Sequence, residues 1–248
     1  VIDLKKEFNI ISPVLKITQG SIKAVNGVNL KINRGATLGL VGESGSGKST
    51  TGRLILRLLE PTSGRILLEG KDISSIGNRD FRKLRKDLQI VFQNPYSALD
   101  SKMTIEDILI QPIQLHKIVH PLDYRNEVYK LLEMVGLSKK DSTKFPHEFS
   151  GGQRQRIGIA RALSTKPRFV VMDEPVSALD VSVQSQILNL VKDLQKELNL
   201  SYLFIAHDLS VVRHVSDEVA VMYLGKIVEK GNADRIFDSP KHPYTQAL

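Results

Sequence analysis

Along the chain the spacing of apolar positions changes period several times, and each change predicts an element. Val28, Leu30 and Ile32 alternate with polar neighbours, as in a strand with one buried face. Ala36-Thr37-Leu38-Gly39-Leu40-Val41 is a nearly continuous apolar run of the kind found in parallel strands covered on both faces. After a Gly-rich turn, Leu54, Ile55, Leu58 and Leu59 recur at helical spacing, and Pro61-Thr62-Ser63-Gly64 turns the chain into an expected strand from Arg65 to Glu69. Residues 104 to 148 read as mainly helical: Thr104 is the expected cap of one helix, while Val128, Leu131, Leu132 and Val135 form a stripe closed by Gly136. Two more apolar runs follow, Phe169-Val170-Val171-Met172 and Tyr202-Leu203-Phe204-Ile205-Ala206. Between them lies a helix with Val183, Ile187, Leu190, Val191, Leu194 and Leu198 on one face. That is a βαβ unit, which calls for parallel sheet. Val219 to Tyr223, a turn around Gly225, and Ile227-Val228 predict a closing hairpin. Neither an internal repeat nor a low-complexity linker interrupts the pattern, so residues 1–248 read as one domain carrying a helical insert.

Composition narrows the class. The chain of 248 residues is 41% hydrophobic and 25% charged, enough to bury a sizeable core. It contains no cysteine, which removes disulfides, cysteine nucleophiles, zinc fingers and cysteine-ligated iron–sulfur clusters from this stretch and fits a reducing compartment. No apolar run approaches the ~18 to 20 residues of a membrane span. Val1-Ile2-Asp3 opens without the basic and apolar regions of a signal peptide, so a soluble or peripheral protein is expected. A net charge of +8 favours anionic partners, whether nucleotide, nucleic acid or anionic lipid. The basic residues nevertheless occur only in short clusters such as Arg79-Asp80-Phe81-Arg82-Lys83-Leu84-Arg85-Lys86, which suits a solvated surface equally well.

The first candidate for chemistry is Gly42-Glu43-Ser44-Gly45-Ser46-Gly47-Lys48-Ser49, which matches G-x-x-x-x-G-K-[ST] between a predicted strand and a predicted helix. Its glycines let backbone N–H groups wrap an anion, and the following helix start adds a favourable dipole. Lys48 is placed to reach β- and γ-phosphates, and the Ser49 hydroxyl to bind Mg²⁺. A second candidate ends the run 169–172: Asp173 and Glu174 put two carboxylates where an open α/β sheet binds its ligands. Asp173 suits Mg²⁺, and Glu174 suits the orientation or deprotonation of an attacking water. His207 directly follows the next apolar run and is expected to contact a γ-phosphate and hold Glu174.

A third feature distinguishes this chain from other phosphate-loop enzymes. Ser150 is an expected N-cap, and Gly151-Gly152-Gln153 opens a helix with exposed backbone donors, a second anion site for which one chain has no second phosphate. The surplus implies a partner. The order of Gly42 to Thr50, Gln93, Ser150 to Gln153, Asp173-Glu174, Ser177-Ala178-Leu179-Asp180 and His207 resembles the ATP-binding cassette ATPases over nearly the whole chain.

The resemblance implies an α/β fold: a phosphate-loop NTPase (RecA-like) core with an antiparallel β subdomain and an inserted α-helical subdomain, placed at 94–165. It implies ATP and Mg²⁺ as cofactors, with Gly42, Ser44, Gly45, Ser46, Gly47, Lys48, Ser49 and Thr50 on the nucleotide and Ser49, Gln93 and Asp173 on the metal. Glu174, His207 and Gln93 are the implied catalytic residues, Gln93 also signalling toward membrane subunits. Phe8 resembles the aromatic that stacks on adenine, where tyrosine is commoner. In the family two cassettes sandwich two ATP molecules head to tail. Ser150, Gly152 and Gln153 would then serve the γ-phosphate of a second cassette, identical or not, with Asp180 at the interface. Phe149 and Val176 replace the commoner leucine and threonine. Val91 to Leu99 and Ser239-Pro240-Lys241-His242-Pro243-Tyr244-Thr245 resemble the ATPase subunits of oligopeptide, dipeptide and nickel importers, in which a further tail usually follows. The implied protein powers a membrane importer, most often of peptides. Peripheral on the cytoplasmic face of the membrane, it would work with permease subunits and, indirectly, an extracytoplasmic substrate-binding protein; no nucleic acid is expected. The alternatives are a soluble cassette ATPase acting on nucleic acid or the ribosome, and a catalytically silent nucleotide-binding subunit. The first usually carries coiled-coil or zinc insertions or two cassettes in one chain, whereas residues 50 to 149 hold neither a heptad array nor a cysteine. The second fits poorly with both Glu174 and His207 present.

Overall fold

The structure, a computed structural model, describes residues 1–11 and 18–248. The chain runs through β1 (Ile2–Ile11), β2 (Thr18–Val28), β3 (Thr37–Val41), α1 (Lys48–Ile55), β4 (Ser63–Arg65), β5 (Leu67–Leu68), β6 (Lys71–Asp72) and α2 (Asn78–Leu84). Next come β7 (Leu88–Val91), α3 (Pro95–Ala98), α4 (Ile105–His116), α5 (Tyr124–Met134) and α6 (Gly151–Leu163). It closes with β8 (Phe169–Asp173), α7 (Val181–Leu198), β9 (Ser201–Ala206), α8 (Leu209–Val215), β10 (Glu218–Tyr223), β11 (Lys226–Asn232), α9 (Ala233–Asp238) and α10 (Pro243–Ala247). Two compact units divide it: Val1–Asn33 with Thr37–Phe81 and Ile205–Leu248, and Arg34–Ala36 with Arg82–Phe204.

In the first unit β1 pairs antiparallel with β2 and with β4, Leu4 facing Val28 and Ile2 facing Arg65. Strands also follow one another in the order β11-β10-β3, with β10 parallel to β3 and antiparallel to β11, the predicted hairpin. Every residue of β3 is buried, as its continuous apolar run requires. Three expectations here are corrected. The strand expected through Leu30 and Ile32 ends at Val28. Leu30 instead exchanges one pair of backbone hydrogen bonds with Val1, so burial goes on alternating without a continued ladder. Helix α1 stops before Leu58 and Leu59. Arg57 takes a left-handed φ of 48° and its guanidinium donates to the carbonyls of Ile73 and Ile76 while lying 4.5 Å over the Phe81 ring. That tertiary anchorage turns the chain and leaves Leu58 exposed. The strand expected from Arg65 to Glu69 is broken at buried Ile66, whose N–H donates to Ser74 Oγ and whose carbonyl accepts from Ile73. On one side of it β4 pairs with β1, on the other β5 pairs with β6.

In the second unit strands lie in the order β9-β8-β7, and β7 runs parallel to β8 with Leu88 beside Phe169 and Val91 beside Met172. Val170, Val171 and Met172 are fully buried. Thr104 caps α4, its side chain accepting from the Asp107 N–H. The stripe Val128, Leu131, Leu132 and Val135 is buried along α5, and Gly136 closes it with a φ of 73°. On α7 the buried face is Ile187, Leu188, Val191 and Leu194; Leu198, expected on it, is exposed beside the left-handed Asn199 that ends the helix.

Candidate functional site

Residues 42–47 leave the buried end of β3 and deliver the chain to α1. The N-cap of that helix is Gly47, with a φ of 107° that an L side chain rarely adopts; a Cβ there would stand 2.2 Å from the Ala24 carbonyl oxygen. Gly42, Ser46 and Lys48 are buried, Ser44 and Gly45 exposed, and Ser49 and Thr50 half-buried at the start of the helix. Lys48 Nζ donates to the carbonyls of Gly42 at 2.6 Å and Glu43 at 2.8 Å. Two backbone carbonyls thus accept from the buried ammonium, and phosphate oxygens can engage it through charge-assisted hydrogen bonds, the stronger kind. In the same unit Phe8 stands on β1, 40% exposed, with Lys6 Nζ 5.2 Å from its ring centroid. His207 is exposed just after β9. The next residue, Asp208, caps α8 by accepting from the Ser210 hydroxyl and N–H, which hold its carboxyl below the usual aspartate range, the hydroxyl contributing most.

In the second unit β8 delivers Asp173 into a buried position, and the chain then turns through Glu174 with a φ of 47°. A left-handed φ on a glutamate is a backbone strain of the kind that clusters at functional sites. The Gln93 amide, two residues past β7, donates to Glu174 Oε2 at 2.9 Å and lies 3.4 Å from Ser177 Oγ. Ser177 Oγ donates in turn to the Glu174 carbonyl at 3.1 Å. Gln93 and Glu174 are therefore brought together, and Ser177, to which sequence reading assigned no role, braces the strained turn.

The same unit holds the Ser150 helix start. Ser150 Oγ accepts from the Gln153 N–H at 3.3 Å while Gln153 Oε1 accepts from the Ser150 N–H at 3.0 Å, a reciprocal capping box. A Cβ at Gly152 would stand 2.4 Å from Val183 Cγ1, so the absence of a side chain lets the first turn of α6 lie against that of α7. Asp180 caps α7, accepting from the Val183 N–H at 2.9 Å and the Ser182 hydroxyl at 2.7 Å; these bonds, the Val183 N–H foremost, hold its carboxyl below the usual range. Two helix starts, each with a polar cap, thus lie side by side. Further along α6, Arg154 covers the Tyr96 ring at 4.0 Å and Arg161 donates to the Ala98 carbonyl, tying the segment after Gln93 to the same helix.

A family model described as ABC transporter matches residues 25–177. The chain belongs to that family. Oligopeptide transport ATP-binding protein AppF of Bacillus subtilis (strain 168) is 51% identical over 247 residues, 99% of this chain and 75% of the relative. Dipeptide transport ATP-binding protein DppF of Lactococcus lactis subsp. cremoris (strain MG1363) is 50% identical over 233 residues, 93% of this chain and 75% of the relative. Among solved structures, the cassette resembles a dimeric, post-hydrolysis state of the ATP-binding cassette MJ0796 bound to ADP and Pi. The TM-score is 0.80 at 27% identity, with 94% of this chain and 97% of that one covered. It also resembles cbiO1 from Clostridium perfringens, part of the ABC transporter complex cbiONQ, with a TM-score of 0.81 at 31% identity over 96% of this chain and 90% of that one. The cassette is accordingly an ATPase of the α/β phosphate-loop fold, with an antiparallel β subdomain and a helical region. No helix among the described residues is long and apolar enough to cross a membrane.

Proposed function

We propose that this cassette is the ATP-hydrolysing subunit of a membrane importer of oligopeptides or dipeptides, peripheral on the cytoplasmic face and attached to permease subunits. The observation that carries this reading is the 51% identity to an oligopeptide transport ATP-binding protein over 99% of the chain. An extracytoplasmic binding protein would supply the cargo, and residues 94–165, as the helical subdomain, would pass motion to the permease.

Gly42 to Thr50 cradle the phosphates of ATP and Phe8 stacks on adenine. Ser49 through its hydroxyl and Gln93 through its amide oxygen, both hard oxygens, would hold Mg²⁺, with the buried Asp173 carboxylate behind these direct ligands. When bound, the metal neutralises charge that develops on the phosphate oxygens. Glu174 takes a proton from water as the water oxygen bonds to the γ-phosphorus and the bond from that phosphorus to the bridging oxygen breaks, giving ADP and phosphate. Gln93, donating to Glu174 at 2.9 Å, holds the carboxylate for that task. His207, by the resemblance, would contact the γ-phosphate and hold Glu174. Ser150, Gly152 and Gln153 serve the nucleotide of a second cassette placed head to tail, with Asp180 at the contact.

The test is made in cells that carry Glu174→Gln in place of the native residue. Uptake of a labelled oligopeptide should be lost while uptake of the corresponding free amino acid persists. Peptide uptake equal to the wild type would refute the reading.

A further inference from the structure

Tyr244 belongs to the segment 239–245, to which the reaction above gives no part. Its hydroxyl accepts a hydrogen bond from the Glu43 backbone N–H at 2.8 Å. The other end of that peptide group, the Gly42 carbonyl, accepts from Lys48 Nζ at 2.6 Å. One peptide plane of the phosphate loop is therefore held at its oxygen by the loop lysine and at its nitrogen by a tyrosine 201 residues away in the chain. Because a peptide group is planar, fixing the direction of its N–H fixes the carbonyl on which Lys48 rests.

Tyr244 is itself firmly placed. Its ring packs on that of Tyr223 with centroids 4.3 Å apart, and its N–H donates to His242 Nδ1 at 3.2 Å. The Glu229 carboxylate on β11 accepts the N–H groups of Lys241 and His242, each at 2.9 Å, which anchors the approach to α10. Two residues beyond Tyr223, the Gly225 N–H donates to the Ser46 carbonyl of the same loop at 3.0 Å. The β10–β11 turn and the segment 239–245 thus hold the loop at two separate peptide groups.

We propose that Tyr244 is a positioning residue for the ATP site, which pre-sets the Gly42–Glu43 peptide, and through it Lys48, for phosphate. The inference rests on the reading of residues 42–50 as that site. In calorimetry on the full chain, Tyr244→Phe, which keeps the ring and loses the hydroxyl, should raise the Kd for both MgATP and MgADP about threefold, the effect of one neutral hydrogen bond. In steady-state hydrolysis the change should fall on KM rather than kcat. Tyr244→Leu, which also removes the ring from Tyr223, should weaken binding at least as much. Lys48→Ala, measured alongside, separates the two readings. If Lys48→Ala weakens nucleotide binding and Tyr244→Phe matches the wild type, the role of Tyr244 is overturned and the site stands. If neither weakens it, both fall. A Tyr244→Phe variant with lower kcat and unchanged Kd also overturns the proposal.

Discussion

At the scale of a residue, the most informative side chain is Glu174, because its backbone is strained and its carboxylate already has a donor in Gln93. Substitution by glutamine keeps the size and an oxygen that Gln93 can reach, but removes the basic group. Glu174→Gln should leave MgATP affinity unchanged while steady-state turnover falls by about 10² to 10⁴, the usual worth of a general base. Nucleotide titration and phosphate release on the same sample check this, and an unchanged turnover number would remove Glu174 as the base. The strain has a further meaning. Ser177 bonds to the Glu174 carbonyl, so the turn is held from within its own loop, and the carboxylate is aimed by backbone geometry as much as by its rotamer.

At the scale of elements, helix starts are decided by side chains close in sequence. Thr104 accepts from the Asp107 N–H and donates to Asp107 Oδ2 at 2.6 Å, so Thr104→Ala should destabilise the protein by about 1 kcal/mol in urea unfolding. Asp180 makes a prediction with a definite sign. Its folded-state pKa is depressed, chiefly by the Val183 N–H, so its contribution is complete above the unfolded-state value and is lost as pH falls through the lower folded value. The stability difference between the wild type and Asp180→Asn should therefore stay constant near neutrality and shift against the wild type in acid below the ordinary aspartate range. A difference that does not vary with pH would show that the carboxylate charge contributes nothing to this cap. Ser150 and Gln153 cap α6 in the same local way, yet this helix start also lies against that of α7, an arrangement that no i to i+3 rule predicts.

At the scale of the whole molecule, the assembly reading is tested through Ser150. If the Ser150 helix start serves a second cassette, Ser150→Arg should leave MgATP binding by the isolated chain intact, since Gly42 to Thr50 are untouched, while blocking productive dimers. Specific activity of the wild type should rise with protein concentration. Mixing Ser150→Arg with Glu174→Gln should restore at most one competent site per dimer, built from Glu174 of the first variant and Ser150 of the second. Activity per chain that is independent of concentration in a verified monomer, or loss of ATP binding in Ser150→Arg, would make Ser150 a helix cap or a ligand within its own chain.

What the sequence by itself determined is what depends on neighbours a few residues apart: the phosphate loop with its glycines, the caps Thr104 and Ser150, the continuous apolar runs of β3, β8 and β9, and the stripe of α5. Steric limits on φ, capping geometry and hydrophobic period act over one or two turns and leave a readable pattern. The tertiary structure alone decided where chain segments change partners. The strand near Ile66 breaks because β1 claims one side of it and β6 the other, and α1 ends early because Arg57 finds its acceptors at Ile73 and Ile76. It also decided the bonds that join Gln93 to Glu174 and Tyr244 to Glu43, spanning 81 and 201 residues. Such bonds depend on the path of the whole chain, and a glutamine or tyrosine looks the same in sequence whether its partner is water or a backbone amide brought to it from far away.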